Sequence, residues 1–134
     1  YQTVKGMVTP LEILEPGANL IIASECSEGL GSEAFRAAQH RLVSQGPDAF
    51  LEGILGKRLA DIDEWQTEMQ LKTMRVANIH LYAGGLPAED HAVTGVTIIE
   101  SIEESVARSG EETGDKAIAV IPEGPYVVPR LTAG

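Results

Sequence analysis

The sequence predicts an α/β domain in which a partly parallel sheet of about three to five strands is flanked by helices in three layers. Apolar runs of strand length occur at residues 20–24 (LIIAS) and 117–121 (AIAVI), and residues 78–82 (NIHLY) are predicted to form a further strand. Such runs are typical of strands that are buried on both faces. The segments between them have helical spacing of apolar residues, and an alternation of strands and helices favours parallel pairing.

Short elements precede the first strand. Tyr1, Val4 and Met7 have the spacing of one helix face. Thr9 and the proline that follows it predict the start of a second short helix, because threonine caps helices and proline fits the first helical position. That helix must end before the Pro-Gly turn at residues 16–17, after which the first predicted strand begins.

Helices are predicted between the first two strands. Ser32 is a good N-cap for a helix that continues through Leu42. The Gly-Pro pair at residues 46–47 ends this helix and starts another, which runs to Leu55. Asp63, followed three residues later by glutamine, is expected to cap a third helix that carries Trp65 in its first turn.

The second half of the chain is acidic. Residues 89–115 contain eight Asp or Glu and one Arg, and within them residues 101–109 are expected to form a helix with Ile102 and Val106 on its inner face. An acidic protein-interaction surface is therefore one functional hypothesis. Residues 117–121 are predicted to form the third buried strand, and residues 126–128 a short fourth.

Size and charge limit the classes of function. The chain has 134 residues, which suits one domain, and its 10 Lys and Arg against 20 Asp and Glu give a net charge of −10. Nucleic acids and anionic membranes, which are bound by clustered cations, are therefore not expected partners. A single cysteine and the lack of a long apolar run favour a cytoplasmic protein. Because the chain begins with Tyr1 inside a patterned segment, we expect it to be part of a larger protein.

A glycine loop after the first strand offers a nucleotide-binding hypothesis. Gly29, Gly31 and Ala34 satisfy the spacing G-x-G-x-x-A between a strand and a helix, where backbone amides can approach a pyrophosphate. Three neighbouring glutamates would compete with phosphate for these donors. A stand-alone Rossmann-like nucleotide-binding module remains the alternative, and a tight turn between strand and helix is the simpler interpretation.

Catalytic and metal sites are not evident from spacing. The three histidines, at positions 40, 80 and 91, are far apart, and no serine or cysteine has an adjacent base. We therefore expect neither a metal site nor catalytic residues in this chain. Gln2 and Lys5 share a helix face with Tyr1, where they would hold a small carboxylate or simply be solvated. Trp65 is either a core residue or the wall of a small-molecule pocket.

The segments YQTVKGM, PGANLIIASECSEGLGS, DEWQTEMQLK and VIPEGPYVVP occur in this order along the chain. Together they resemble the C-terminal domain of the nickel-dependent lactate racemase family. The resemblance implies that residues 1–134 are a single lid and substrate-positioning domain of a two-domain cytoplasmic enzyme, whose own N-terminal domain is the partner. Such enzymes invert the α-carbon of a small 2-hydroxy acid by hydride transfer to a nickel pincer nucleotide.

The resemblance also implies roles for residues of the opening segment and the W-Q pair. Lys5 would hold the substrate carboxylate or support the cofactor, and Gln2 would donate a hydrogen bond nearby. Tyr1 is adjacent to both, and Trp65 would form a wall of the substrate pocket. The lysine and histidines that hold the cofactor and move protons belong to the N-terminal domain, so this domain alone is expected to be inactive.

Overall fold

The structure is a computed structural model, and it describes residues 1–132. It confirms the predicted α/β class. Five α-helices and three strands follow one another as α1 (Thr3–Val8), β1 (Ala18–Ala23), α2 (Glu33–Gln45), α3 (Pro47–Leu55), α4 (Glu64–Met74), β2 (Ala77–Tyr82), β3 (Thr97–Ile98) and α5 (Ile102–Thr113). Short 3-10 helices occur at Leu11–Ile13, Ala88–Thr94 and Gly124–Tyr126.

The sheet has the order β1-β2-β3, and both pairings are parallel. Leu20 of β1 lies opposite Ile79 of β2, and both pack in the core with α1. Asn19 points to the other face of the sheet, because successive side chains in a strand alternate. Its amide donates to Ser109 of α5 at 2.9 Å. Helices therefore lie on both sides of the sheet, as the expected three layers require, although Asn78 and Tyr82 of β2 are exposed on the side of α5.

The helices between β1 and β2 follow their sequence signals. Ser32 caps α2 by accepting a hydrogen bond from the Phe35 amide at 3.1 Å. Pro47 begins α3, as proline at the first helical position favours. Phe35 and Leu42 of α2 and Phe50 of α3 are buried, so the apolar stripes of these helices face the core as the spacing predicts.

The predicted third strand is wrong. Residues 117–121 form no strand, and the third position in the sheet is taken by β3, a two-residue strand that no apolar run announces. The predicted fourth strand at residues 126–128 is also absent, because Tyr126 ends a 3-10 turn that starts at Gly124 and Pro125. Local composition favours a strand in both places, but a strand forms only where a partner strand lies beside it.

Two predicted caps are also corrected. Thr9 does not start a helix; it ends α1, and its hydroxyl donates to the Lys5 carbonyl at 2.7 Å. Asp63 occupies the N-cap position of α4, but its side chain accepts no hydrogen bond from the helix. Its backbone is left-handed, with φ of 62°, and its carboxylate instead accepts a hydrogen bond from the Ser32 hydroxyl at 2.5 Å.

No helix within residues 1–132 has the length and apolar character needed to cross a membrane.

Candidate functional site

An open cleft of about 600 Å³ lies where the chain leaves the carboxyl end of β1. Ligands of parallel α/β sheets bind at this end of the strands. The cleft is formed by the start of α1, the loop that follows β1 and the residue before α4. Its lining residues are Tyr1, Gln2, Thr3, Ser24, Cys26, Ser27, Glu28, Gly29, Gly31, Ser32 and Asp63.

The orientation of α1 is set by its buried side. Val4 and Met7 are buried in the core, where they pack with Phe35 and Ile79. Residues three and four apart share a helix face, so the positions between them point outward. Gln2 and Lys5 of the opening segment are accordingly exposed.

Tyr1 is held between the loop after β1 and helix α4. Its backbone nitrogen donates to the Leu30 carbonyl at 2.9 Å, and its carbonyl accepts a hydrogen bond from Gln66 at 3.1 Å. Its ring meets the ring of Phe35 edge-on at 5.3 Å and that of Trp65 edge-on at 6.4 Å. Such edge-to-face geometry is favourable for aromatic pairs. Tyr1 therefore connects the cleft to Trp65.

Gly31 is required by the close approach of Tyr1. A Cβ at Gly31 would lie 2.8 Å from the Cβ of Tyr1, and the φ of Gly31 is +122°, which L-residues rarely adopt. This packing accounts for one glycine of the G-x-G-x-x-A pattern without a pyrophosphate. Gly85, in the turn after β2, supports the same loop, since its amide donates to the Glu25 carbonyl at 2.7 Å.

The predicted site residues separate into two groups. Tyr1 and Gln2 line the cleft, whereas Lys5 and Trp65 do not. Trp65 lies beyond the Tyr1 ring with 48 % of its surface exposed, and Lys5 is one turn further along α1. Lys5 forms no ion pair within residues 1–132. Lys5 contacts Gln2 through the backbone, where its amide donates to the Gln2 carbonyl at 3.0 Å.

A group of small polar side chains in the cleft was not predicted from the sequence. The hydroxyls of Thr3 and Ser24 are 2.9 Å apart, and the Cys26 thiol lies 3.4 Å from the Ser24 hydroxyl. These groups both donate and accept hydrogen bonds, so they suit a hydroxylated ligand. Ser24 and Cys26 are close together in the sequence, but only the fold brings Thr3 next to them.

Acidic groups lie on the other side of the cleft. Glu28 and Asp63 line it, and its described lining contains no Lys, Arg or His. Partial burial, together with the neighbouring Asp63 carboxylate, raises the pKa of the Tyr1 phenol. The phenol is therefore protonated at neutral pH and serves as a hydrogen-bond donor.

A buried carboxylate holds the start of α4, where Trp65 lies. Glu64 accepts hydrogen bonds from Arg41 at 2.6 Å, from Lys57 at 2.8 Å and from the Asp61 amide at 3.0 Å. Burial opposes ionisation of Glu64, but the hydrogen bonds from Lys57, Asp61 and Arg41 outweigh it and lower its pKa. These hydrogen bonds hold Glu64, the residue before Trp65, at the start of α4.

The side chains of residues 1–132 do not fit a nickel site. No group of three or more His, Cys, Asp or Glu is placed to hold a metal ion in this part of the chain. His40, His80 and His91 remain separate: His80 is in β2, and His91 is beside the carbonyl of Leu86 at 3.2 Å.

Comparison with known proteins identifies the family. The family model of the lactate racemase C-terminal domain matches residues 1–128, which is nearly the whole chain. A comparison with curated proteins finds no match. The matched range includes the opening segment, the loop of the cleft and the start of α4. The chain therefore belongs to the family of lactate racemase C-terminal domains, which implies that the full-length protein is a racemase.

Proposed function

We propose that this domain positions the substrate of a two-domain isomerase that inverts the α-carbon of a small 2-hydroxy acid. Its partner in this proposal is the N-terminal domain of the same protein. A nickel pincer nucleotide held mainly by that domain supplies the hydride-transfer chemistry when it is bound. In this proposal, the role of this chain is to bind and orient the substrate.

One observation carries the proposal. Burial of Val4 and Met7 turns Gln2 and Lys5 outward, and Gln2 follows Tyr1, whose ring meets that of Trp65. Lys5 has no acidic partner within residues 1–132, so its ammonium group is available for the carboxylate of a hydroxy acid. Charge-assisted hydrogen bonds of this kind are about twice as strong as neutral ones.

The remaining groups have complementary roles in this proposal. The Gln2 amide and the protonated Tyr1 phenol donate hydrogen bonds to oxygen atoms of the substrate. Trp65 presents an apolar surface that excludes water when the two domains close over the substrate. A fixed orientation of a small acid lowers the entropic part of the barrier, which is the contribution that a substrate-positioning domain makes.

The test is a lysine substitution in the full-length enzyme. Lys5→Ala should reduce kcat/KM for racemisation by about 10- to 100-fold, since a hydrogen bond to a charged group contributes about 1.5–3 kcal/mol. Lys72→Ala is the matched control, because Lys72 is also an exposed lysine and pairs with Glu68 on α4. Both variants should unfold at the temperature of the wild type. Racemisation by Lys5→Ala at the wild-type rate would remove Lys5 from the site.

A further inference from the structure

The segment that follows α5 is exposed over most of its length, although Ile121 is half-buried. Residues 111–120 are all exposed, and the side chains of Ile118 and Val120 are 62 % and 76 % exposed. The Ala117 amide donates to the Asp115 side chain at 2.8 Å, but the amides of residues 118–121 make no hydrogen bond in this part of the chain. Apolar side chains and unpaired backbone groups are thus exposed together.

The composition of this segment is that of a strand. Residues 117–121 (AIAVI) are continuously apolar and rich in β-branched side chains, which favour extended backbone. In such a strand Ile118 and Val120 would share one face, because the side chains alternate. A single strand is not stable by itself. A stable strand here would need a neighbouring strand, and none lies beside the segment within residues 1–132.

The position of the segment indicates which neighbour that is. Beyond it, the 3-10 helix Gly124–Tyr126 packs against α1, where a Cβ at Gly124 would lie 4.0 Å from the Cα of Gly6. The chain that follows the segment thus returns to α1, the first helix of residues 1–132 and the helix that carries Lys5. The family match extends to residue 128, so the segment belongs to the domain that the family shares.

We infer that residues 117–121 dock as an added strand on an exposed sheet edge of the preceding domain of the same polypeptide. The inference rests on the two-domain arrangement of the proposed function. Main-chain hydrogen bonds supply the pairing, and an apolar face of the partner sheet receives Ile118 and Val120. A domain on the same chain is present at a high effective concentration, which favours it over a second copy of the protein.

Hydrogen exchange in the full-length protein tests the pairing. The amides of residues 118–121 should exchange at least about 100-fold more slowly than unstructured amides, and they should do so at concentrations where the protein is a monomer. Exchange at the unstructured rate would overturn the inference. Protection that appears only in a dimer would overturn it as well, because the partner would then be a second copy.

Paired substitutions test the apolar contact. Ile118→Asp combined with Val120→Asp should abolish the protection of residues 118–121 in the full-length protein. Leu131→Asp is the control, because Leu131 is 81 % exposed and lies beyond the range that matches the family. It should leave the protection intact. Unchanged protection in the double variant, or an equal loss in the control, would contradict the docked strand.

Racemase activity of the wild-type full-length protein is measured separately. If the protein racemises a 2-hydroxy acid but the amides of residues 118–121 are unprotected, the docked strand is wrong and the proposed function stands. Protected amides in a protein that racemises no 2-hydroxy acid would support the docked strand and remove the proposed function.

Discussion

Substitution of Gly31 by alanine tests whether the close approach of this loop positions Tyr1. A φ of +122° at residue 31 lies outside the regions that alanine populates, and such strain costs about 1–3 kcal/mol. The added methyl group would lie 2.8 Å from the Tyr1 Cβ, whereas carbon atoms in contact prefer about 3.5–4.0 Å. Overpacking of this kind costs about a further 1–3 kcal/mol.

Gly29 provides the matched control. Its φ is +70°, and a Cβ there would meet nothing within 4 Å. Gly29→Ala therefore introduces only left-handed strain, which costs about 1–2 kcal/mol. We expect Gly31→Ala to lower the free energy of unfolding by about 2–6 kcal/mol, which is more than the control. Most of this range lies below the roughly 5–15 kcal/mol by which domains are typically stable, so we expect both variants to fold.

Two assays separate stability from positioning. Urea unfolding of residues 1–134 can be followed by the fluorescence of Trp65, the single tryptophan of this chain, which contacts the Tyr1 ring. In the full-length enzyme, Gly31→Ala should lower kcat/KM because it displaces Tyr1, whereas Gly29→Ala should retain most activity. Equal stability and equal activity of the two variants would refute the view that Gly31 is needed for the placement of Tyr1.

Further predictions concern the charges and the glycine loop. Glu64→Gln should lower the free energy of unfolding in urea by about 1–3 kcal/mol, because Lys57 and Arg41 lose a buried charged partner. Glu68→Gln on the same helix is the control and should have little effect. Asp90, of the 3-10 helix Ala88–Thr94, accepts a hydrogen bond from Arg36 at 3.0 Å, which lowers its pKa as the hydrogen bonds to Glu64 lower that of Glu64. The contribution of both carboxylates to stability is therefore present at neutral pH. This contribution to the free energy of unfolding should be lost as the pH falls below about 4. A comparison of acid unfolding between the wild type and Glu64→Gln would measure the part that Glu64 contributes. Calorimetric titration with NAD, AMP or ATP should give no heat, and saturable binding would restore the nucleotide hypothesis.

Much of the fold was predictable because its signals are local. The apolar run of β1, the alternating pattern of β2 and the cap of α2 by Ser32 depend on residues that are neighbours in sequence. The same signals failed at residues 117–121, where the composition favours a strand but no partner strand is present within residues 1–132. They also missed Thr97–Ile98, since a two-residue strand is defined by its pairing with β2 rather than by its composition.

The candidate site was predictable only in part. Spacing placed Gln2 and Lys5 on one helix face, and the resemblance to the family added Trp65, but neither indicated the hydroxyl groups of Thr3 and Ser24 in the cleft. These two residues are distant in sequence, and their hydroxyls come within 2.9 Å only because α1 packs beside the end of β1. A sequence pattern contains no information on that approach.

The sequence by itself determined the α/β class, the main helices and strands, and the family, because these follow from local hydrophobic patterns and short motifs. Only the tertiary structure decided that Tyr1 and Gln2 line the cleft while Lys5 and Trp65 lie beyond it. It also decided that Gly31 is needed for the contact with Tyr1. The physical reason is that these features depend on distances between separate elements, which arise when their buried faces pack together.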